Sequence, residues 1–476
     1  MVGVMAVLLV SCSSQPGPRP HVESGMAAPS RVDLGQIPGW SSDDLDFFQR
    51  GSMSGEFIPE KTFRALVRAN PDLFPNGMAS FGFVTDPGED LPVGMSRREV
   101  PHLGDQVSIG LNCAACHVGE VKFDNHPPMR VMGMTSSFDP EAFYNATVIA
   151  MLRASQPAGM KKYLGEYVRE YDHRTDLSGI AKEHLNLFHN IGVALHLPAE
   201  PPKNLPPPSG PGRNTAFGLL SAVLFNEPTP YAPTKFSPVW NADQRTWVHW
   251  DGNTSSPINR NILASLGLGA PLEGRHAIMD FSLVDRQTQL SEAIRPPRYP
   301  LPVNEASASR GASIYAQYCA KCHDVPAGYE DKRLHSVTEV GTDPARVKLF
   351  TAKQAALYND FFAKLQLDGY TPSAEPTVRS TGKYVASDLA GVWARSPYLH
   401  NGSMRTMRDL LTPPAERPKT FRRGDTEYDT ANMGYKNKGS YVFDTSTPGN
   451  FNSGHDYGTS LSQGQKKDLI EFLKTK

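Results

Sequence analysis

Apolar residues recur at helical spacing in five stretches of the chain, and this spacing predicts the main helices. The stretches lie at 140–155, 159–172, 177–195, 304–318 and 462–476. The last of them begins at Ser462, a residue type that caps helix N-termini. Long runs with neither a helical nor a strand period separate these stretches. The pattern therefore predicts a mainly α, loop-rich fold.

Two proline-rich tracts, at 201–208 and 296–302, interrupt the periodic pattern and mark candidate unit boundaries. They divide the chain into an N-terminal unit, a connecting segment rich in Pro and Trp, and a C-terminal unit. The predicted bounds are 31–200, 201–302 and 303–476.

The first residues form a short apolar run that ends in Leu9-Val10-Ser11-Cys12. The run is too short to span a bilayer and is typical of a signal peptide. Its end resembles a bacterial lipobox, so 1–12 predicts export and a lipid anchor through Cys12. The alternative is a free cysteine in an unstructured tail. Residues 13–30 are rich in Pro, Ser and Gly and predict a flexible tether.

Composition narrows the function classes. The 476 residues carry 48 Lys and Arg against 49 Asp and Glu, a net charge of −1. A nucleic-acid binder would show a basic excess, so this class is excluded. The 40 glycines and 41 prolines are more than usual and favour extensive loops. A chain with so many loops needs a further source of stability besides its apolar core.

Four of the five cysteines fall in two copies of one motif. The first motif is Cys113-Ala114-Ala115-Cys116-His117, and the second is Cys319-Ala320-Lys321-Cys322-His323. C-x-x-C-H is the attachment signature of haem c. The two thiols form thioethers with the porphyrin, and the adjacent imidazole binds iron. C-x-x-C pairs also bind zinc, but zinc does not need a His directly after each pair.

Several other residues could either pack in the core or bind the haem iron. His126 and the methionines Met129, Met132 and Met134 could cap the first iron, although core packing is the more usual role. Trp247, His249 and Trp250 alternate as in a strand, which favours ordinary half-buried packing. His455 directly follows Gly454, and a glycine there allows the backbone to approach the face of a haem closely. This placement predicts that His455 is the distal ligand of the second haem.

The chain resembles the di-haem c-type cytochromes, above all the rubber oxygenases (RoxA-like) and the bacterial di-haem peroxidases. Fatty-acid dioxygenases with haem are a further branch. The stretches that carry the resemblance are 111–117, 210–218, 236–252, 260–269, 318–323, 389–411 and 454–474. It implies two cytochrome c-like haem domains packed together, with the Pro/Trp-rich segment between them. Thr215 departs from the pattern, because the family has an acid there.

The resemblance also implies roles for individual residues. Arg213 and Arg395 would pair with haem propionates, as Arg forks match carboxylates. Phe236 would form a wall of the distal pocket, and Trp240 would relay electrons between the haems. For the second haem, the loop around His400 suggests either an iron ligand or a hydrogen-bond donor behind the ligand.

These observations lead to an exported di-haem oxidoreductase that activates O₂ at an open first haem, with the second haem as electron relay. A non-polar olefinic substrate would suit the aromatic segment at 236–250. Two alternatives stay open: a peroxidase that reduces hydrogen peroxide, and an electron carrier without catalysis. The expected partners are O₂ or peroxide and a redox protein, and the expected location is the periplasm or outer membrane.

Overall fold

We describe a computed structural model of the protein over residues 34–172, 174–195, 207–227, 230–326 and 329–476. The predicted signal peptide, tether and Cys12 lie outside these residues. About 43% of the described residues are helical and about 14% are in strands. The mainly α, loop-rich class is thus confirmed. Within the described residues, no helix is both long and apolar enough to cross a bilayer.

The helices, in chain order, are α1 Ser42–Arg50, α2 Glu60–Ala69, α3 Cys113–His117, α4 Pro140–Ala154, α5 Pro157–Tyr171, α6 Leu177–Ala194, α7 Ala216–Phe225, α8 Pro257–Leu268, α9 Phe281–Ala293, α10 Glu305–Tyr318, α11 Ala320–His323, α12 Val337–Val340, α13 Ala345–Leu349, α14 Ala352–Lys364, α15 Met407–Leu410 and α16 Gln463–Leu473.

The strands are β1 Glu56–Pro59, β2 Pro75–Met78, β3 Met95–Val100, β4 Gln106–Leu111, β5 Val118–Val121, β6 Met129–Met132, β7 Arg213–Asn214, β8 Thr234–Lys235, β9 Leu272–Glu273, β10 His276–Ala277, β11 Leu334–Ser336, β12 Lys383–Val385, β13 Thr420–Arg423, β14 Tyr428–Asp429, β15 Gly434–Tyr435 and β16 Tyr441–Asp444.

All five predicted helices are present within a few residues of their expected ends, because their caps are local. The Asn304 side chain accepts from the Ser307 N–H and begins α10. Ser462 and Gln465 form a capping box at the start of α16. Helices α10 and α16 cross so closely that a Cβ on Gly311 would overlap the carbonyl oxygen of Asp468. This glycine therefore sets the distance between the two helices.

Short strands frame the first motif. The antiparallel sheet β1-β4-β3 leads into α3, and the hairpin β5–β6 follows it directly. The strand-like interpretation of 247–250 is wrong. His249 has a φ of 71°, and the Gly252 N–H donates to its carbonyl oxygen at 3.3 Å, so the segment is a turn. Alternation of side chains cannot reveal a left-handed residue inside the run.

Three clusters of buried apolar side chains form the core. One lies among the first sheet and α2, α4, α5 and α6, and another lies among α7, α8, α9, α13 and α14. The central cluster draws on all three predicted units: it contains Leu34, Val118, Trp240, Trp393 and Leu473. The three predicted units therefore meet in this central cluster.

Candidate haem site

The first motif is held at the end of the first sheet. Asn112 caps α3, because its side-chain oxygen accepts from the Ala114 N–H at 2.9 Å. Its amide group also donates to the carbonyl of Gly51 at 2.8 Å. After the helix, the chain returns through the hairpin, and the Gly133 N–H donates to the carbonyl of His117 at 2.6 Å. Backbone bonds thus fix the motif from both sides.

The second motif follows α10 without a loop. The His323 Nδ1–H donates to the carbonyl of Ser387 at 2.6 Å, which leaves its Nε2 with the lone pair. Next to it, the Tyr315 hydroxyl donates to Asp324 at 2.6 Å and ties the helix to the residue after the motif.

Both motifs open into one cavity of about 480 Å³, which we call the central cavity. This volume is in the range of sites for sizeable ligands. The first motif contributes all three functional side chains, Cys113, Cys116 and His117, and so does the second. Much of the remaining wall is apolar. It includes Phe217, Leu219, Leu220, Leu263, Ala264 and Leu268 from α7 and α8.

The charged side chains around the cavity have one sign. Among the described residues that line it, none is Asp or Glu, and five have basic side chains: Lys235, Arg245, Arg260, Arg346 and Arg395. Lys235 is only 2% exposed, and its ammonium group donates to the carbonyl of Arg395. Burial and the nearby arginines hold the pKa of Lys235 well below its ordinary value. Each of the four arginines also pairs with a carboxylate outside the lining, of Asp388, Glu292 or Asp251.

At the second motif, two imidazoles face each other. The ring centroids of His323 and His455 lie 6.3 Å apart with an interplanar angle of 47°. His455 is left-handed, with φ of 52°, and its N–H donates to the carbonyl of Val340 at 2.7 Å. Arg417 donates to the carbonyl of Gly454 at 2.7 Å and fixes the loop from outside. A Cβ on Gly454 would overlap Gly341, so glycine is required there by the neighbouring loop.

At the first motif, the corresponding ring neighbour is a phenyl group. The centroids of His117 and Phe236 are also 6.3 Å apart, in a T-shaped arrangement. Phe236 is anchored by its backbone, because its carbonyl accepts from the Thr135 hydroxyl at 2.6 Å. The candidate ligands His126, Met129, Met132 and Met134 do not line the cavity. The three methionines are buried in the central cluster.

His400 lines the cavity but has its Nε2 engaged by the hydroxyl of Tyr384 at 3.0 Å. The two rings stack with centroids 4.3 Å apart. Of the alternatives for His400, this contact favours a hydrogen-bonding role over a ligand.

The two arginines that the resemblance singles out lie in different places. Arg395 lines the cavity, donates to the carbonyls of Asp388 and Ala390 at 2.7 Å each, and has a buried Nε without a partner among the described residues. Arg213 does not line the cavity. It is fully buried and donates to Asn450 at 2.7 Å and to the carbonyl of Ser209 at 3.0 Å.

Trp240 is buried between the segments of the two motifs. Its indole N–H donates to the carbonyl of Met132 at 2.6 Å, beside the hairpin that follows the first motif. On the other side, the guanidinium carbon of Arg395 lies 5.5 Å from its ring centroid. The ring thus bridges the first motif and the segment next to the second.

Comparison with known proteins identifies one matching family and two similar proteins. Residues 382–422 match a family described as RoxA-like, cytochrome c-like. The chain is 26% identical over 530 positions to the uncharacterized protein y4iJ of Sinorhizobium fredii, covering 88% of this chain and 87% of that protein. It is 30% identical over 325 positions to the uncharacterized protein y4iM of the same organism, covering 58% of this chain and 73% of y4iM.

The chain belongs to the same family as y4iM. The match at 382–422 supports a RoxA-like cytochrome family, and a cytochrome c domain of this kind implies covalently bound haem c. The matched stretch includes Arg395 and His400, both at the central cavity.

The residues of the two motifs and of the central cavity fit haem c. Two imidazoles on opposite sides of one metal, each at about 2 Å, place their centroids roughly 6 Å apart, which is the spacing of His323 and His455. Buried polar atoms without a partner among the described residues include Nδ1 of both His117 and His455. The cationic lining suits haem propionates. Burial also lowers the pKa of His117 and of His455 to about 4, so both imidazoles keep the neutral form that binds iron.

Some residues of the central cavity escape prediction from the sequence. Lys235, Arg260 and Arg346 carry no motif, and only the folded path of the chain brings them to one space. His249, for which the sequence favours ordinary half-buried packing, lines the cavity. Its place in a WVHWDG run, with an amide four residues later, was the one available signal.

Proposed function

We propose that this chain is a c-type cytochrome with two covalent haems, which activates O₂ at the first motif and uses the second as an electron relay. The observation that carries the proposal is the asymmetry of the shared cavity. At the same 6.3 Å spacing, His323 faces another imidazole, whereas His117 faces a phenyl ring. A haem with two strong protein ligands passes electrons, and one with a vacant face binds small ligands.

The first motif would be the catalytic side. A phenyl ring offers no lone pair to a metal, so Phe236 would not be a second protein ligand of the first iron. Helices α7 and α8 line the adjoining part of the cavity with leucines, Ala264 and Phe217. Such walls exclude water and hold a non-polar substrate, which favours an olefinic hydrocarbon. The haem would bind and activate oxygen, and the chain would orient the substrate and exclude water.

The second motif would be the relay side. His323 is oriented by the carbonyl of Ser387, and His455 is held by Arg417 through its loop. Rigid ligands of this kind reduce rearrangement when the oxidation state changes. The buried Trp240 lies on the path between the two sides.

Ligand binding tests the proposal. Purified protein should contain one low-spin and one high-spin haem by electron paramagnetic resonance. Carbon monoxide should bind one haem after reduction, and cyanide should bind one after oxidation. If both haems are low-spin and neither ligand binds in either oxidation state, the protein is an electron carrier and the proposal is wrong.

We further propose that the protein is exported and anchored through Cys12, on the strength of its N-terminal sequence. Cell fractionation and mass spectrometry of the mature N-terminus test this. Cys12→Ser should release the protein from membranes without changing its haem content. If the mature protein keeps residues 1–11, the proposal is wrong.

A further inference from the structure

His249 presents a polar atom to the central cavity from an unusual backbone position. It lies in a left-handed turn, closed by the bridge between Val248 and Thr254. The ring packs edge-on against Phe217, with centroids 5.3 Å apart. The turn and the aromatic contact together fix where the imidazole points.

A single hydrogen bond determines the tautomer of this imidazole. The Nδ1 atom lies 2.8 Å from the side-chain oxygen of Asn253, which also accepts from the Thr254 hydroxyl at 3.1 Å. With the Asn253 oxygen turned to the ring, Nδ1 carries the proton and Nε2 carries the lone pair, and the Asn253 Nδ2 has no partner among the described residues. Asn253 is itself fully buried. No described residue makes a hydrogen bond to Nε2, which is left for an occupant of the cavity.

Burial and the neighbouring positive charges keep His249 in its neutral form. Burial, followed by Arg260, Arg346 and His117, lowers its pKa to about 3, against the Asn253 bond that raises it. The charge of Arg260 also lowers the pKa of the Cys113 thiol and the pKa of His117. His249, Arg260 and the three functional side chains of the first motif all line the central cavity.

We propose that His249 is the proton acceptor for a hydroperoxide that enters the cavity at the first motif. This goes beyond the activation of O₂, which brings no proton, but it rests on the accessible first haem of the proposed function. The O–H bond of the hydroperoxide breaks, its electron pair stays on oxygen, and the proton goes to Nε2. Asn253 keeps the ring aligned by accepting from Nδ1–H, and Arg260, which also pairs with Glu292 at 2.9 Å, stabilises the negative charge on oxygen.

His249 has the features of a base rather than of a second iron ligand. Among the described residues, the ring in contact with His117 is Phe236 and not His249, so His249 is not paired with His117 in the way that His455 is paired with His323. A base positioned this way typically accelerates proton transfer by a factor of 10² to 10⁴.

Hydrogen cyanide is the probe, because it loses a proton on binding iron, whereas carbon monoxide has none to lose. In His249→Leu, the association rate of cyanide with the oxidised protein should fall about a hundredfold. The association rate of carbon monoxide with the reduced protein should stay within about twofold, since no base is involved. His249→Gln retains polarity without basicity and should behave in the same way.

Asn253 and an outside histidine provide the controls. Asn253→Asp keeps an acceptor for Nδ1–H and should keep fast cyanide binding, whereas Asn253→Leu should lose it. His102→Leu, at a ring outside the cavity, should change neither rate. Unaltered haem absorption confirms that each variant is folded.

The outcomes separate the two proposals. If wild-type protein binds both ligands and His249→Leu leaves the cyanide rate unchanged, the role of His249 is wrong and the open first haem stands. Equal slowing of cyanide and carbon monoxide would mean that His249 acts by shape, which also overturns the proposal. Wild-type protein that binds neither ligand overturns the proposed function and this inference with it.

Discussion

Single side chains around the central cavity have their protonation set by burial. Burial lowers the pKa of His400 to about 3, and the cationic neighbours Arg213 and Arg346 act in the same direction. Like His117 and His455, this imidazole is neutral at physiological pH. The lone pairs that iron or a proton requires are therefore available, and the hydrogen bonds decide which nitrogen carries them.

Removal of His455 should expose the second iron. In His455→Ala, one low-spin haem signal should become high-spin, because the imidazole that faces His323 at 6.3 Å is lost. Electron paramagnetic resonance before and after the substitution measures this. The matched variant His400→Ala should leave the low-spin signal intact, because the Nε2 of His400 is already bonded to Tyr384. The reverse result would assign the ligand to His400.

Glu141 should make the stability of the protein fall as pH rises. Burial raises its pKa to about 7, although the N–H and hydroxyl of Ser209 both donate to it. The folded state thus binds a proton that the unfolded state has already released above about pH 4.5. The free energy of unfolding should drop by about 3 kcal/mol between pH 4.5 and pH 8 through this residue.

Glu141→Gln should remove this contribution. Denaturant unfolding at pH 5 and pH 8 measures the difference, and the variant should gain relative to wild type at pH 8. The exposed Glu273→Gln serves as the control and should follow the wild-type profile. A wild-type profile as flat as that of Glu141→Gln would contradict the assignment.

At the scale of elements, the crossing of α10 and α16 depends on one missing side chain. In Gly311→Ala, the added carbon would overlap the backbone of Asp468, so the helices must separate. Overpacking of this kind costs about 1–3 kcal/mol. Thermal unfolding should show the loss, and the second motif, at the end of α10, should hold its haem less well.

Gly464→Ala is the matched control on the partner helix. No atom lies within 4 Å of the position where its Cβ would be. Alanine is the better helix former by about 1 kcal/mol, so this variant should be at least as stable as wild type. Equal destabilisation by both substitutions would show that the crossing is not the cause.

The predictable elements are those whose signals are local. The helices and their caps could be predicted from Asn304 and Ser462, and the two motifs from adjacent cysteines and histidines. The sheet around the first motif could not, because β1 and β4 pair across about 50 residues and only packing fixes their register. The role of His249 stayed hidden for a similar reason: its turn depends on a left-handed backbone that no spacing reveals.

Across the whole molecule, the central cluster joins the two motifs through aromatic residues. Trp240→Phe should slow electron exchange between the haems by about tenfold, equivalent to about 1.4 kcal/mol in the barrier. Flash reduction of one haem, followed by absorption at the other, measures the rate. We expect the rate to fall because the Trp240 ring lies between the carbonyl of Met132 and the guanidinium group of Arg395.

Trp393→Phe is the control for this effect. Trp393 is equally buried in the central cluster, and its indole N–H also donates to a carbonyl, that of Pro297, at 2.9 Å. Its ring packs instead among Phe123, Tyr299 and Tyr428. An equal loss of rate in both variants would indicate a general loosening of the core rather than a relay.

The shared central cluster also has a consequence for the timing of synthesis. Leu473 belongs to the same cluster as Val118, the residue after His117, and 355 residues separate the two in the chain. At roughly 5–20 residues per second, translation needs about 20 to 70 seconds to reach the later one. During that interval the first motif cannot be fully enclosed. The Cys113 and Cys116 thiols of the growing polypeptide thus stay accessible until the last helix has been synthesised.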